Sequence, residues 1–420
     1  MSFDLAVAPL PPQFPTISQA PRVPARGIPL EVVLDILETV CSKDSVIDAE
    51  FLRSCSMVCK SWLFPAQKLL FRKIQLCSQA AYNSFVYAVD RSTERGRILG
   101  DSVVQMRVVL DNNQPGPLKQ ACFSRAVTLC PNLCELSLAL YGCGEPGNDI
   151  VGSPALERMR RPAPSFEPGT LELLRTGPPI TSLHFSNWSD NDQSIVQLLD
   201  IWPSLKSLSI TGKTPHFSPG LTQPPFACAL SRLRMNCQLE PSLDFLEWLL
   251  HTSSQANTLC AIELDREPSL DLLDYLTRNH MESLQELAIP SCTTPEHATA
   301  IIRCRSLRRL RTERPSTSTI PAVFRQLPKG IQHIAVGMDQ DTPLQTLVEA
   351  VKTRDELESI TVNVWDKGSS HRQLSALKMA CAFRGVDLRI TNDVRVHRTM
   401  VVSVRLSGAS VFDCCLCVAR

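Results

Sequence analysis

The feature that most constrains this chain is a six-residue pattern, apolar-x-x-apolar-x-apolar, that returns at a nearly fixed interval. It stands at Leu133/Leu136/Leu138, Ile180/Leu183/Phe185, Leu205/Leu208/Ile210 and Leu230/Leu233/Met235. It continues at Leu259/Ile262/Leu264, Leu284/Leu287/Ile289, Leu307/Leu310/Thr312, Ile331/Ile334/Val336 and Leu357/Ile360/Val362, with a last copy at Phe383/Val386/Leu388. From Ile180 onward the first positions lie 25, 25, 29, 25, 23, 24, 26 and 26 residues apart. Two earlier sets, Phe71/Ile74/Leu76 and Val103/Met106/Val108, extend the series toward the N-terminus.

Side chains alternate across a strand, so the fourth and sixth positions of each copy share one face of a short strand. The stretches between copies carry helical spacing, as in 243–250, 270–276 and 344–351, with Pro241, Pro268 and Pro343 near the helix starts. A strand-plus-helix unit of this length cannot bury its apolar face alone, so the units must stack. The expected fold is an α/β repeat, a curved solenoid over residues 77–392 with parallel strands inside and helices outside. Glycines and prolines between 141 and 170 interrupt the array and account for the 47 residues between Leu133 and Ile180. A flexible insertion is expected there.

Side chains two, four and six places after each first position should then face the concave side. They read Ser207, Ser209, Thr211; Arg232, Arg234, Asn236; Ala261, Glu263, Asp265; Arg309, Arg311, Glu313; and Ser359, Thr361, Asn363. Arginines also gather at Arg303, Arg305, Arg308, Arg309 and Arg311. Two readings stand: a solvated face, or guanidinium groups that grip acidic or phosphorylated segments of a partner. On the second reading Arg232, Arg234, Arg309 and Arg311 are the candidate substrate-binding residues.

The N-terminal quarter has a different character. Residues 1–27 hold six prolines and little periodicity, which predicts a disordered leader. Pro29 stands where a helix would start, followed by Leu30, Val33, Leu34, Leu37 and Val40 at helical spacing. A polar break at 42–45 ends that helix. A second apolar-periodic segment runs from Phe51 to Trp62, and Pro65 opens a third. Three short helices in about fifty residues are marginal alone and gain by packing on a partner.

Several of these residues carry a resemblance. Ile28-Pro29-x-Glu31, Leu34, Ile36 and Leu37, then Val58-Cys59-Lys60-Ser61-Trp62, then Leu70-Phe71-Arg72-Lys73-Ile74, resemble the F-box, in the F-box-like form common in fungal F-box/repeat proteins. The resemblance covers residues 28–76 and departs from the compact motif in its longer connection at 41–50. The repeats resemble the leucine-rich repeats of F-box receptors. The usual asparagine nine positions in is replaced by Trp188, Lys213, Gln238, Glu267, Pro315 and Trp365, with only Cys292 suited to the role.

The resemblance implies a substrate receptor of a Skp–cullin–F-box ubiquitin ligase. Ile28, Pro29, Leu34, Leu37, Val58, Cys59 and Trp62 would bind the Skp-type adaptor, which joins the cullin scaffold, while the solenoid binds a protein substrate. The alternative is a repeat scaffold whose helical segment only caps the array.

Composition adds exclusions. Lys plus Arg is 43 against 42 for Asp plus Glu, a net charge of +1, so there is no electrostatic case for nucleic acid or an anionic membrane. The 17 cysteines are scattered singly at apolar positions such as Cys122, Cys130, Cys228, Cys260 and Cys381, the pattern of packing residues in an intracellular chain. No run approaches the length of a membrane span. Gly212-Lys213-Thr214 has Ser207 where a phosphate-binding loop needs glycine, and neither a nucleophile elbow nor a His-Glu-x-x-His helix is present. Cys414-Cys415-Leu416-Cys417 lacks the second ligand pair of a zinc site. No enzyme activity, metal or cofactor is expected, and residues 393–420 are expected to form an irregular tail.

Overall fold

The computed structural model describes residues 29–42, 49–142, 163, 165–189, 191–215, 224–314, 319–365, 368 and 371–399. The leader, Ile28, most of the expected insertion and the cysteine-rich end of the chain lie outside these described residues.

The repeat pattern becomes one parallel sheet. Its strands are β1 (Lys73–Leu76), β2 (Gln105–Asp111), β3 (Glu135–Gly142), β4 (Ser182–Ser189), β5 (Ser207–Gly212) and β6 (Arg232–Cys237). They continue as β7 (Ala261–Leu264), β8 (Glu286–Ile289), β9 (Arg309–Thr312), β10 (His333–Met338), β11 (Ser359–Val364) and β12 (Asp387–Thr391). The 12 strands stand in sequence order, each parallel to the next. That order defines an α/β repeat solenoid.

The fourth positions of the units form one continuous ladder. Ile74, Met106, Leu136, Leu183, Leu208 and Leu233 align in turn, then Ile262, Leu287, Leu310, Ile334, Ile360 and Leu388. These side chains belong to one hydrophobic core running from Leu76 to Val386. Each fully buried leucine in such a row stabilises by about 1.5–3 kcal/mol relative to exposure. Just ahead of the strands a second regularity appears: one carbonyl per unit accepts two N–H groups from the next unit. Arg72 O takes Val104 and Gln105, Thr181 O takes Lys206 and Ser207, and Gln332 O takes Glu358 and Ser359.

Beyond the strands the main chain replaces the missing asparagines. Lys213 N–H donates to Asn187 O, Gln238 N–H to Gly212 O and Trp365 N–H to Met338 O, each at 2.7 Å. Gly212 makes the first of these turns possible: its φ is +90°, and a Cβ there would lie 2.2 Å from the Asn187 carbonyl oxygen. The Gly212-Lys213-Thr214 triplet is therefore a strand-end turn, with Lys213 Nζ 2.5 Å from Asp192.

The last copy differs from expectation. Ile360 aligns with Leu388, so Leu388 occupies the fourth position and the register expected at Phe383/Val386 is off by two. Phe383 sits instead in the preceding helix, which runs to Arg384, and is 90% exposed. Among the described residues no strand follows β12 to cover it, so its apolar residues are a weaker guide.

The helices of the outer layer are, after three N-terminal ones, α4 (Gln79–Ala88), α5 (Glu94–Ser102), α6 (Gln120–Thr128), α7 (Pro168–Arg175), α8 (Ser194–Leu199) and α9 (Leu243–Ala256). They continue as α10 (Leu270–His280), α11 (Pro295–Ile302), α12 (Ile320–Gln326), α13 (Gln345–Thr353) and α14 (Leu374–Arg384). Local signals set several starts: the Ser242, Ser269 and Thr294 hydroxyls accept N–H bonds from Phe245, Leu272 and His297.

The first three helices are α1 (Leu30–Ser42), α2 (Ala49–Val58) and α3 (Lys60–Phe71). The second apolar segment is thus split at Cys59, whose extended backbone caps α3. Pro65 lies inside α3 and does not open it, and Trp62 belongs to α3 as well. Val33, Leu37, Leu52, Cys55, Ala66 and Leu69 form a separate small core. α3 also packs against α5 and leads into β1, so the sheet begins at Lys73, within the segment expected to be helical.

The tail expectation also changes in part. Residues 394–399 form a short helix, α15 (Val394–Thr399), that turns back onto β11 and β12.

Candidate interaction site on the concave face

The strand alternation places the expected polar side chains on the inner face. Between β3 and β8 they line a cavity of about 120 Å³, walled by Glu135, Ser182, His184, Ser207, Ser209, Arg232, Arg234, Glu263 and Glu286. Two small residues make it possible. Ala261 stands between Arg232 and Glu286 in register, and Ala288 between Glu263 and Arg311. With no bulk between them, long charged side chains reach across two strands.

They do so as two linked networks. In the first, Glu286 accepts from Arg309 at 2.9 Å and faces Arg232 at 3.6 Å. In the second, Arg234 donates to Asp265 at 2.8 Å and lies 3.8 Å from Glu263. Arg311 donates to Glu263 at 2.6 Å and lies 3.5 Å from Glu313, which in turn accepts two bonds from Arg398 of α15, both at 2.8 Å.

Environment tunes these groups in opposite directions. Burial raises the Glu286 pKa against the opposing pull of Arg232 and Arg309. At the other end of the cavity, burial raises that of Glu135, against its hydrogen bond from Gln105 at 2.7 Å and nearby Lys73. Burial and the Arg234 charge push His184 down to about 4, so at neutral pH its contact with Glu135, at 3.6 Å, joins a neutral imidazole to a carboxylate. Arg234 is held charged because Glu263 and Asp265 outweigh its own desolvation.

The four arginines expected to bind a substrate are therefore all placed on this face, and all have carboxylate partners within the chain. Arg311 is only 1% exposed, so this structure does not present it to a partner. The wider arginine cluster is divided: Arg303 pairs with Asp274 on the helical side, and Arg305 and Arg308 are exposed. What the sequence reading missed was the pairing. The signal was the repeat itself, since copies two units apart put Arg232 and Glu286 in one row, and likewise Glu263 and Arg311.

The residues expected to bind an adaptor divide in another way. Leu37 is buried in the core of α1–α3, and Trp62 packs partly against it. Leu34 is half-buried, Pro29 and Cys59 are exposed, and Val58 is 66% exposed. Ile28 lies outside the described residues. The unit also exposes the large apolar side chains Met57 and Phe64, and along α1 the stripe Val32, Ile36 and Val40 at four-residue spacing. α1 is thus apolar on two adjoining faces, one buried and one open.

Seven cysteines of the described residues are buried outside any disulfide, and burial pushes Cys130, Cys237 and Cys304 up to about 12, which keeps them as protonated packing groups. Among the described residues no cluster of His, Cys, Asp and Glu could hold a metal ion. No described helix is long and apolar enough to cross a membrane.

No protein-family description matches the chain, and no curated protein is similar to it. One solved structure that it resembles is TLR13 in its complex with ssRNA13, at 11% identity and a TM-score of 0.28. The aligned part is 70% of this chain and 33% of that one, so the chain spans about a third of that protein's length. So slight a likeness brings no property across.

Proposed function

We propose that this protein is a non-catalytic adaptor: α1–α3 dock on a Skp-type protein of a cullin ubiquitin ligase, and the solenoid holds a protein target on its concave face. The observation that carries the reading is the open apolar surface of α1–α3. A unit with a core of six buried residues leaves Val32, Ile36, Val40, Met57, Val58 and Phe64 exposed. Six exposed large apolar side chains on so small a unit point to a contact surface. Ile36 and Val58 are among the residues that carry the F-box resemblance. The adaptor's contribution to catalysis is proximity alone: it raises the local concentration of target near a separate transferase.

One observation favours the alternative of a simple cap, since α3 packs on α5 and β1 at the first edge of the array. A pull-down separates the two readings. The full chain is co-expressed with a Skp-type adaptor and a cullin, and compared with the Ile36→Asp/Val58→Asp double variant. Both positions are exposed, so the variant keeps its circular dichroism spectrum. The adaptor reading expects recovery with wild type and at least a tenfold loss with the variant. Folded wild type that recovers no adaptor leaves only the repeat scaffold.

A further inference from the structure

We propose that the concave face over β9–β11 is a docking groove for a short arginine-bearing segment of a partner protein, and that α15 is its built-in occupant. The proposal rests on the reading that the solenoid binds a protein, and it names the chemistry of that partner.

The groove recognises one residue at two points. The Arg398 guanidinium makes a two-pronged bond to the Glu313 carboxylate, both arms at 2.8 Å. The backbone carbonyl of the same residue accepts from Arg311 at 2.8 Å. Planar, paired recognition of this kind selects arginine over lysine. Nothing in it depends on Arg398 belonging to the same chain.

The receiving groups are held independently of α15. Glu313 N–H donates to Pro290 O at 3.1 Å, and Trp365 Nε1–H donates to Glu313 O at 3.0 Å. Gly337 lets the next strand approach, since a Cβ there would lie 1.8 Å from the Glu313 carbonyl oxygen. Arg311 is anchored by Glu263 from the opposite side.

Charge then decides which partner fits. In this network Glu263, Asp265 and Glu313 face Arg234 and Arg311, so without Arg398 three carboxylates meet two guanidinium groups. The unmatched charge is negative. An acidic or phosphorylated segment would meet arginines already neutralised; a basic one would meet a carboxylate left without its partner.

The present occupant is suited to displacement. α15 has six residues, and its His397 is buried with neither ring nitrogen hydrogen-bonded among the described residues. A segment that keeps the arginine and lacks this mismatch would bind the same groove better. α15 competes only through its tether, which gives it a high effective concentration.

The test uses the full chain and a labelled synthetic peptide spanning residues 392–399. In the Arg398→Glu variant, charge reversal opposite Glu313 should release α15, seen as faster deuterium uptake over 394–399. That variant should bind the peptide at least tenfold more tightly than wild type does. The Arg398→Glu/Glu313→Gln double variant should lose the gain, and a peptide with alanine in place of the arginine at position 398, its Arg395 kept, should not bind. Should Arg398→Glu fail to fold, saturating peptide added to wild type must still raise deuterium uptake over 394–399. Persistent protection of α15 in the variant, no gain in affinity, equal binding of the alanine peptide, or tighter binding of a phosphoserine peptide would each overturn the proposal. Adaptor recovery through α1–α3 is scored separately, so failure of the groove and failure of the ligase reading are distinguishable.

Discussion

The two ends of the concave face are built from equivalent strand positions and differ in what lies over them. Over β4–β6 most inner side chains stay half-buried, as at Ser182, His184, Ser207, Arg232 and Arg234, with Ser209 buried. Over β9–β11 Arg309, His333 and Ser359 are half-buried like their counterparts Ser182, Ser207 and Arg232, whereas Arg311, Thr361 and Asn363 are buried, with α15 folded back beside this end. A strand's two-residue period settles which way a side chain points. Whether that side chain is wet is settled elsewhere: the carbonyl that covers Arg311 comes from Arg398, 87 residues along the chain.

The largest expected effect tests the covered end. Arg311→Ala would leave Glu263 and Glu313 facing each other in a dry site with one guanidinium removed. Breaking a buried ion pair from one side typically costs about 3–5 kcal/mol. Urea unfolding should show a loss of that order. A loss below about 1 kcal/mol, the range of solvent-screened pairs, would mean that the covered end is as wet as the open one.

A second test separates the ends by pH. Burial, followed by the charges of Arg311 and Arg398, lowers the His397 pKa from 6.5 to about 4. The docked helix therefore holds the neutral imidazole, while the released helix takes up a proton near pH 6.5. Docking should be independent of this histidine above pH 6.5 and weaken progressively as pH falls toward 4. The full linkage amounts to about 3 kcal/mol at most. Hydrogen exchange over 394–399 between pH 7 and 4.5 reads it directly. His184 at the open end and His280 at the end of α10 are also lowered to about 4 by burial, and burial lowers His333 as well, so a global melting curve would mix several groups. A His397→Gln variant should lose the pH dependence at α15 alone.

The part of this molecule legible in the sequence was the part that repeats. Leu183, Leu208, Leu233 and Leu287 announced strand, face and spacing together, because each must meet its neighbour in the same register. The helix starts near Pro241 and Pro268 were legible for a local reason, the proline itself, and the adjoining Ser242 and Ser269 hydroxyls cap them. Legibility failed where neighbours were missing. Among the described residues no strand follows β12 to fix its register, so Phe383 passed for a strand residue. Pro65 passed for a helix start because a helix tolerates proline best in its first turn, whereas here it sits in the second. At the candidate site the arginines were visible as charges, but their pairing required knowing that Ala261 and Ala288 leave room across two strands. The seat of α15 was hidden, because its six residues carry no period and its contacts are set by the concave face.

The smallest expected effect tests the open end. Arg232 has a side-chain exposure of 22% and lies 3.6 Å from Glu286, which already has Arg309 at 2.9 Å. Removing Arg232 leaves the carboxylate paired, so Arg232→Ala should cost about 1 kcal/mol or less, in the range of solvent-screened pairs. Arg309→Ala, which removes the nearer partner, should cost more than Arg232→Ala and less than Arg311→Ala. That order follows from partner distance and water access together, since all three remove an arginine facing a glutamate. If Arg232→Ala proved as damaging as Arg311→Ala in the same urea titration, the two ends would share one electrostatic environment. The cavity at β3–β8 would then be a rigid ionic floor, and a partner binding there would have to match fixed charges instead of rearranging them.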